Sequence, residues 1–220
     1  MIIDLTLPIR KHWRWPLECG LVKSFEKGDV TQVTRFELCS HWYTHVDSPR
    51  HTLPDGKTLD QYPLDILVGQ ALILDLSAIK ANEPIDANLL SETLGDRKMK
   101  DILIIRTDWA QKTSWESYEY WDNAPYITMC GAEWIKKQNP KVVGFDFPQD
   151  YDIRLMRSTP ESELKMPVHD FVLNNGVLMI EYLHNLWNIG VEECKIVALP
   201  LKLEYADGAP ARVIAIRKDE

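Results

Sequence analysis

Two short stretches, QALILDLS at 70–77 and DILIIRTDW at 101–109, are apolar along most of their length. Runs of this size belong to strands buried in a sheet, because a membrane span needs about 20 such residues. Residues 86–94 carry helical spacing, as does CGAEWIKKQN at 130–139, which stops before Pro140. KVVGFDF at 141–147 reads as a further strand. PVHDFVLNNG at 167–176 reads as a helix with Pro167 at its start and Asn-Asn-Gly at its stop. MIIDLTLPI (1–9), VLMIEYL (177–183), CKIVALPLKL (194–203) and ARVIAIR (211–217) are strand-like, with ADGAP (206–210) as a turn. VTQVTRFELCSH at 30–41 sets Val33, Arg35 and Glu37 against Thr34, Phe36 and Leu38, the alternation of a half-buried strand. Strands outnumber helices, which predicts a mixed α/β fold in one domain over 1–220.

A chain of 220 residues buries roughly 70% of the surface its unfolded form exposes, so it needs no disulfide or structural metal. Any metal is then functional. The net charge of -8 argues against nucleic acid or an anionic membrane as partner. Cys19, Cys39, Cys130 and Cys194 form no C-x-x-C pair and are expected to fill core space. With an acid at position 4 and no long apolar run, the chain reads as soluble and cytoplasmic.

HWYTHVDSPRH at 41–51 holds three of the six histidines. It is not the H-E-x-x-H helix of zinc proteases: Trp42 stands where the glutamate would be, and Pro49 biases Ser48 away from helical angles. On an extended chain the odd-numbered His41, His45, Asp47 and His51 face one side. His45 and Asp47 then lie about 6.6 Å apart, close enough for one metal, whereas His41 is about 13 Å from His45. A bend at Trp42-Tyr43-Thr44 must bring His41 back. Two imidazoles and a carboxylate suit a divalent transition metal with a position left for water. Downstream, His169 opens an apolar helix and Glu181 interrupts VLMIEYL; either they form a second half-site, or Glu181 points to solvent at a sheet edge.

These residues resemble the cyclase family of metal-dependent hydrolases, which includes bacterial kynurenine formamidase and isatin hydrolase. The family pattern H-x-G-T-H-x-D-x-P-x-H is met at His41, Thr44, His45, Asp47, Pro49 and His51, and its later histidine and glutamate match His169 and Glu181. IIDLTLPI, LIIRTDW and ALPLKLEYADGAPARVIAI extend the similarity over nearly the whole chain. The resemblance implies a curved, barrel-like mixed sheet flanked by helices, of the swivelling β/β/α type, assembled as a homodimer or homotetramer. It implies that His41, His45 and Asp47 hold one metal, that Asp47, His169 and Glu181 hold a second, and that His51 is the catalytic acid/base. One or two zinc ions per chain are expected, with manganese as the alternative because Asp47 and Glu181 add hard oxygen donors.

Tyr43 departs from the family glycine, and must accept strain or reshape the bend. In GFDFPQDYD, Gln149 and Tyr151 replace a serine and an aspartate of the formamidase pattern. The implied chemistry is attack by metal-activated water on an amide, lactam or ester carbonyl, with N-formylkynurenine as the first substrate and isatin-type ring opening as the alternative. A non-catalytic metal or ligand binder is the reading from another class, against which the retained His51 speaks. Trp13, Trp15, Trp42 and Tyr43 are candidates to line a pocket for an aromatic substrate. His12 and His184 are expected to be structural or superficial, and HWRW (12–15) is a candidate to reach a neighbouring subunit.

Overall fold

Period-two alternation along the apolar runs builds the sheet. The structure, a computed structural model, describes residues 1–217. In chain order the elements begin with β1 (Ile2–Asp4), β2 (Glu18–Lys23), β3 (Val33–Glu37), β4 (His45–Asp47), β5 (Val68–Asp75) and β6 (Pro84–Ile85). Next come α1 (Ala87–Leu94), β7 (Ile102–Arg106), α2 (Trp109–Lys112), α3 (Tyr118–Asp122), β8 (Tyr126–Ile127) and α4 (Met129–Gln138). The chain continues through β9 (Val142–Phe145), α5 (Pro167–Asn174), β10 (Leu178–Glu181), β11 (Glu193–Pro200) and β12 (Gly208–Ile216).

The main sheet runs β1-β12-β11-β5-β7-β9-β10-β4, and β4 pairs back onto the start of β12, closing the sheet into a barrel. Neighbours from β5 through β7 and β9 to β10 are parallel; pairings of β11, β12 and β4 are antiparallel. Inside the barrel, Ala71, Ile73, Ile102, Ile104, Leu178 and Ile180 meet the small Ala209, Ala211 and Ala215 of β12. The alternate residues Leu72, Leu74, Leu103, Ile105, Val143 and Met179 face outward and pack under α1, α4 and α5. The mixed α/β, barrel-like expectation holds.

Asp146 ties the end of β9 to the end of β7. Its carboxylate accepts the Thr107 and Asp108 amides and the Thr107 hydroxyl, each at 2.8 Å. The segment that leaves this clamp carries Gln149 and Asp150. Asp150 in turn caps α5 through the amides of Val168 (2.8 Å) and His169 (3.1 Å).

Several expectations are corrected. β3 alternates as read but is exposed throughout, because among the described residues it pairs only with the equally exposed β2 and no third layer covers either face. Cys19, Cys39 and Cys130 are exposed, and Cys194 alone fills core space. HWRW folds into its own chain: His12 stacks on Trp115 (centroids 5.0 Å apart) and Trp15 is buried against Tyr43. The strand read in CKIVALPLKL ends at Pro200, and α2 and α3 carried no readable period. No helix among the described residues is long and apolar enough to cross a membrane.

Asp146→Ala leaves two buried amides without an acceptor, each at about 1–3 kcal/mol. A drop in the urea midpoint with unchanged m value is expected; an unshifted midpoint would show that the clamp is not needed.

Candidate metal centre

Three residues of β4 decide where the centre lies. Val46 belongs to the barrel interior, so by the strand period His45 and Asp47 share the opposite face. Antiparallel register sets Glu181 of β10 directly opposite His45, and Gly208 of β12 opposite Asp47. His169, in the first turn of α5, completes the group: its Nε2 lies 2.6 Å from Glu181 Oε1 and 4.0 Å from Asp47 Oδ2. His41 returns from the bend so that its Nδ1 is 2.7 Å from Asp47 Oδ1. A Cβ on Gly208 would come within 2.7 Å of the His41 ring. Glycine is what lets that imidazole in.

The bend falls where the strand arithmetic requires. Tyr43 takes φ 56°, a left-handed conformation that costs a non-glycine residue on the order of 1 kcal/mol or more. Burial of its ring against Trp15, at 4.6 Å between centroids, and donation of its hydroxyl to the Arg10 carbonyl offset that cost. Tyr43 is therefore core and not pocket lining. The extended-chain picture of four odd-numbered residues on one face also needs correction. Only His45 and Asp47 lie on a strand; His51 is placed by a single 3₁₀ turn, Pro49–His51.

The donor set fits a divalent cation. His45 Nδ1 donates to the Tyr43 carbonyl at 2.7 Å, which in the neutral ring leaves a lone pair on Nε2. That Nε2 stands 3.1 Å from Asp47 Oδ1 and 3.4 Å from Glu181 Oε2. Lone pairs facing one another in a buried place need a cation between them. His45 Nε2, Asp47 Oδ2 and Gln149 Oε1 are all buried with no hydrogen-bond partner. One ligand atom from each of His41, His45 and Asp47 falls within 4.8 Å of the others, and the same is true of Asp47, His169 and Glu181. Asp47 is common to both sets.

Three supporting residues carried no signal of this role in the sequence. Asp207, in the ADGAP turn, takes His41 Nε2 at 2.6 Å and lies 3.7 Å from His51 Nδ1. Asp150 takes His169 Nδ1 at 2.6 Å, fixing the ring so that Nε2 faces Glu181. Gln149 is buried, with its amide nitrogen 3.3 Å from His169 Nε2 and hydrogen-bonded to Glu181. Turned over, the same amide would offer a neutral oxygen to a cation. Acids in turns are ordinary, and only the pairing of β12 with β4 distinguishes Asp207.

Charge follows from these contacts. Burial alone would lower the His41 pKa, but Asp47 and Asp207 overcome it and raise it to about 9. For His169, too, burial is outweighed, by Glu181 and Asp150, and its pKa lies well above the usual value. Burial would raise Glu181, yet His169 brings it down to about 2. His51 moves the other way: burial lowers its pKa and, with the nearby His41 and His169, outweighs the opposite pull of Asp47 and Glu181. Its ring stacks on His41 at 3.7 Å with 31% of the side chain open to solvent. His12 and His184 stay outside this group, His12 stacked on Trp115 and His184 edge-on to Trp187.

His41, His51, His169 and Glu181 open into a cavity of about 790 Å³ whose walls include Trp13, Trp15 and Trp42. Residues 3–149 match the family model described as "Putative cyclase". The chain belongs to the cyclase family. Its curated relatives include the kynurenine formamidase of Geobacillus thermodenitrificans, 28% identical over 193 residues that span 88% of this chain and 83% of the relative. Among solved structures, isatin hydrolase A from Ralstonia solanacearum superimposes with a TM-score of 0.78 at 21% identity, covering 98% of this chain and 91% of its own. A potential metal-dependent hydrolase with cyclase activity gives 0.74 at 23%, covering 100% and 99%. Both are likenesses of fold.

Ligand nitrogens must shed their protons to bind a metal. His41 is protonated below about 9, so zinc binding at pH 7 is expected to release protons, and affinity to climb as pH rises toward that value. Calorimetry in buffers of different ionisation heat reads this directly; a buffer-independent heat contradicts it. Asp207→Asn is expected to weaken zinc binding by roughly 10–100-fold, read by competition with a chromogenic chelator.

Proposed function

We propose that this chain hydrolyses the carbon–nitrogen bond of a small aromatic amide, in the manner of an arylformamidase, with N-formylkynurenine the first substrate to test. The observation that carries this reading is the convergence of His41, His45, Asp47, His169 and Glu181 beside a tryptophan-walled cavity, with His51 at their edge. Similarity to kynurenine formamidase along most of the chain supports it. Ring opening of an isatin-type cyclic amide is the second reading. It is favoured by Gln149, which occupies the centre where the formamidase pattern has serine.

His41, His45 and Asp47 would hold one cation, and Asp47, His169 and Glu181 a second. Two imidazoles favour zinc for the first; the carboxylates of the second keep manganese as the alternative. A cation there acidifies water and polarises a carbonyl. The protein supplies the rest. Asp207 and Asp150 orient His41 and His169 through the ring nitrogens turned away from the centre. His51, kept neutral at pH 7 by its lowered pKa, takes a proton from the attacking water and returns it to the leaving nitrogen through the ring nitrogen not turned toward Asp207. The tryptophan walls hold the arene and exclude bulk water.

We also propose a cytoplasmic location, which the four free cysteines support. We further propose a homodimer or homotetramer, which the β2–β3 arm supports by exposing 60% of Val22 and 55% of Phe36.

His51→Ala is expected to lower kcat on N-formylkynurenine by roughly 10²–10⁴-fold with metal content unchanged. Loss of metal together with activity would make His51 a ligand. Phe36→Asp is expected to shift the mass measured by light scattering toward the monomer; an unchanged mass would move the interface elsewhere.

A further inference from the structure

The cavity wall holds two arginines, Arg14 and Arg157, and they differ in one respect. Arg157 is paired with Asp122. Arg14 is half-buried and forms no salt bridge with any described residue, Asp170 and Glu181 of the same wall included. Its guanidinium lies over the Trp121 ring at 4.4 Å, and Nη2 touches Met156 Sδ at 3.0 Å. Its side chain also hydrogen-bonds Tyr182, and none of these contacts neutralises the charge. In a chain with 33 acidic residues against 25 Lys and Arg, an arginine left without an acid in a cavity is a group awaiting an anion.

Arg14 is also held in place. Its amide donates to His12 Nδ1 at 3.1 Å, and the His12 ring is stacked on Trp115 with Nε2 3.2 Å from the Trp115 carbonyl. Trp13 and Trp15, on either side of it, form part of the aromatic wall. A planar guanidinium fixed beside aromatic rings suits a carboxylate attached to an arene, because its fork can take both carboxylate oxygens at once.

We propose that Arg14 binds a carboxylate of the substrate, so that the preferred substrate is an aromatic amide bearing an anionic group and not a neutral ring. This rests on the amide-hydrolase reading and adds a specificity-determining residue to it. It also favours an open-chain carboxylated substrate over a neutral cyclic amide.

A matched pair of probes tests it: N-formylanthranilate, which carries the carboxylate, and formanilide, which lacks it. In the metal-loaded enzyme, Arg14→Gln is expected to raise KM for N-formylanthranilate by roughly 10–100-fold, the value of one charge-assisted contact. The constants for formanilide should stay within about twofold, and Arg14→Lys should recover part of the loss. Equal losses on both amides, or no loss on either, overturn the proposal. A second measurement does not depend on turnover: quenching of tryptophan emission by anthranilate. Arg14→Gln is expected to weaken that binding at least about tenfold, and unchanged binding overturns the proposal. If neither amide is cleaved while anthranilate binding depends on Arg14, the hydrolase reading fails and the anion site stands.

Discussion

At the heart of this molecule His45 Nε2 stands 3.1 Å from a carboxylate oxygen of Asp47, while the ring's other nitrogen is committed to the Tyr43 carbonyl. Both side chains are fully buried. In a neutral ring the Nε2 lone pair faces that oxygen, a repulsive contact, and the neighbouring Glu181 adds a further negative charge. A cation turns all of these repulsions into attractions at once. The fold around the contact is arranged so that it cannot relax. His45 is held by the Tyr43 carbonyl, His41 by Asp207, His169 by Asp150, and β4 is pinned between β10 and β12.

Closure of the sheet makes this arrangement available. β4 has one neighbour from each end of the strand order, so a residue on its outer face meets side chains far away in sequence. Glu181 and Gly208 reach the centre in this way, one as a charged donor and the other as the absence of a side chain. The left-handed Tyr43 belongs to the same design. Its backbone turns His41 into the centre while its ring is spent on the core beside Trp15.

Much of this was legible in the sequence because it rests on local chemistry. Unbroken apolar runs at 70–77 and 101–109 marked buried strands, Pro167 and Asn-Asn-Gly bounded a helix, and histidines four apart beside Asp47 called for the bend that gathers them. What stayed hidden depends on distant pairing. Asp207 looks like any turn acid until β12 is laid against β4, and Asp150 looks like any loop acid until α5 is seated on it. The β2–β3 arm misled for the complementary reason. Alternation shows that a strand has two faces, but not whether anything covers them. Arg14 drew no notice in the sequence because what sets it apart is the lack of an acid partner among the described residues.

The central claim is that these buried donors exist to hold a cation. Elemental analysis of the purified protein beside its Asp47→Asn variant, both dialysed against trace zinc and checked for native circular dichroism, tests it most directly. The account predicts at least about one equivalent of metal per folded wild-type chain and close to none in the variant, since Asp47 serves both donor sets. Equal metal content in the two proteins, or a folded wild type that takes up none, would contradict it.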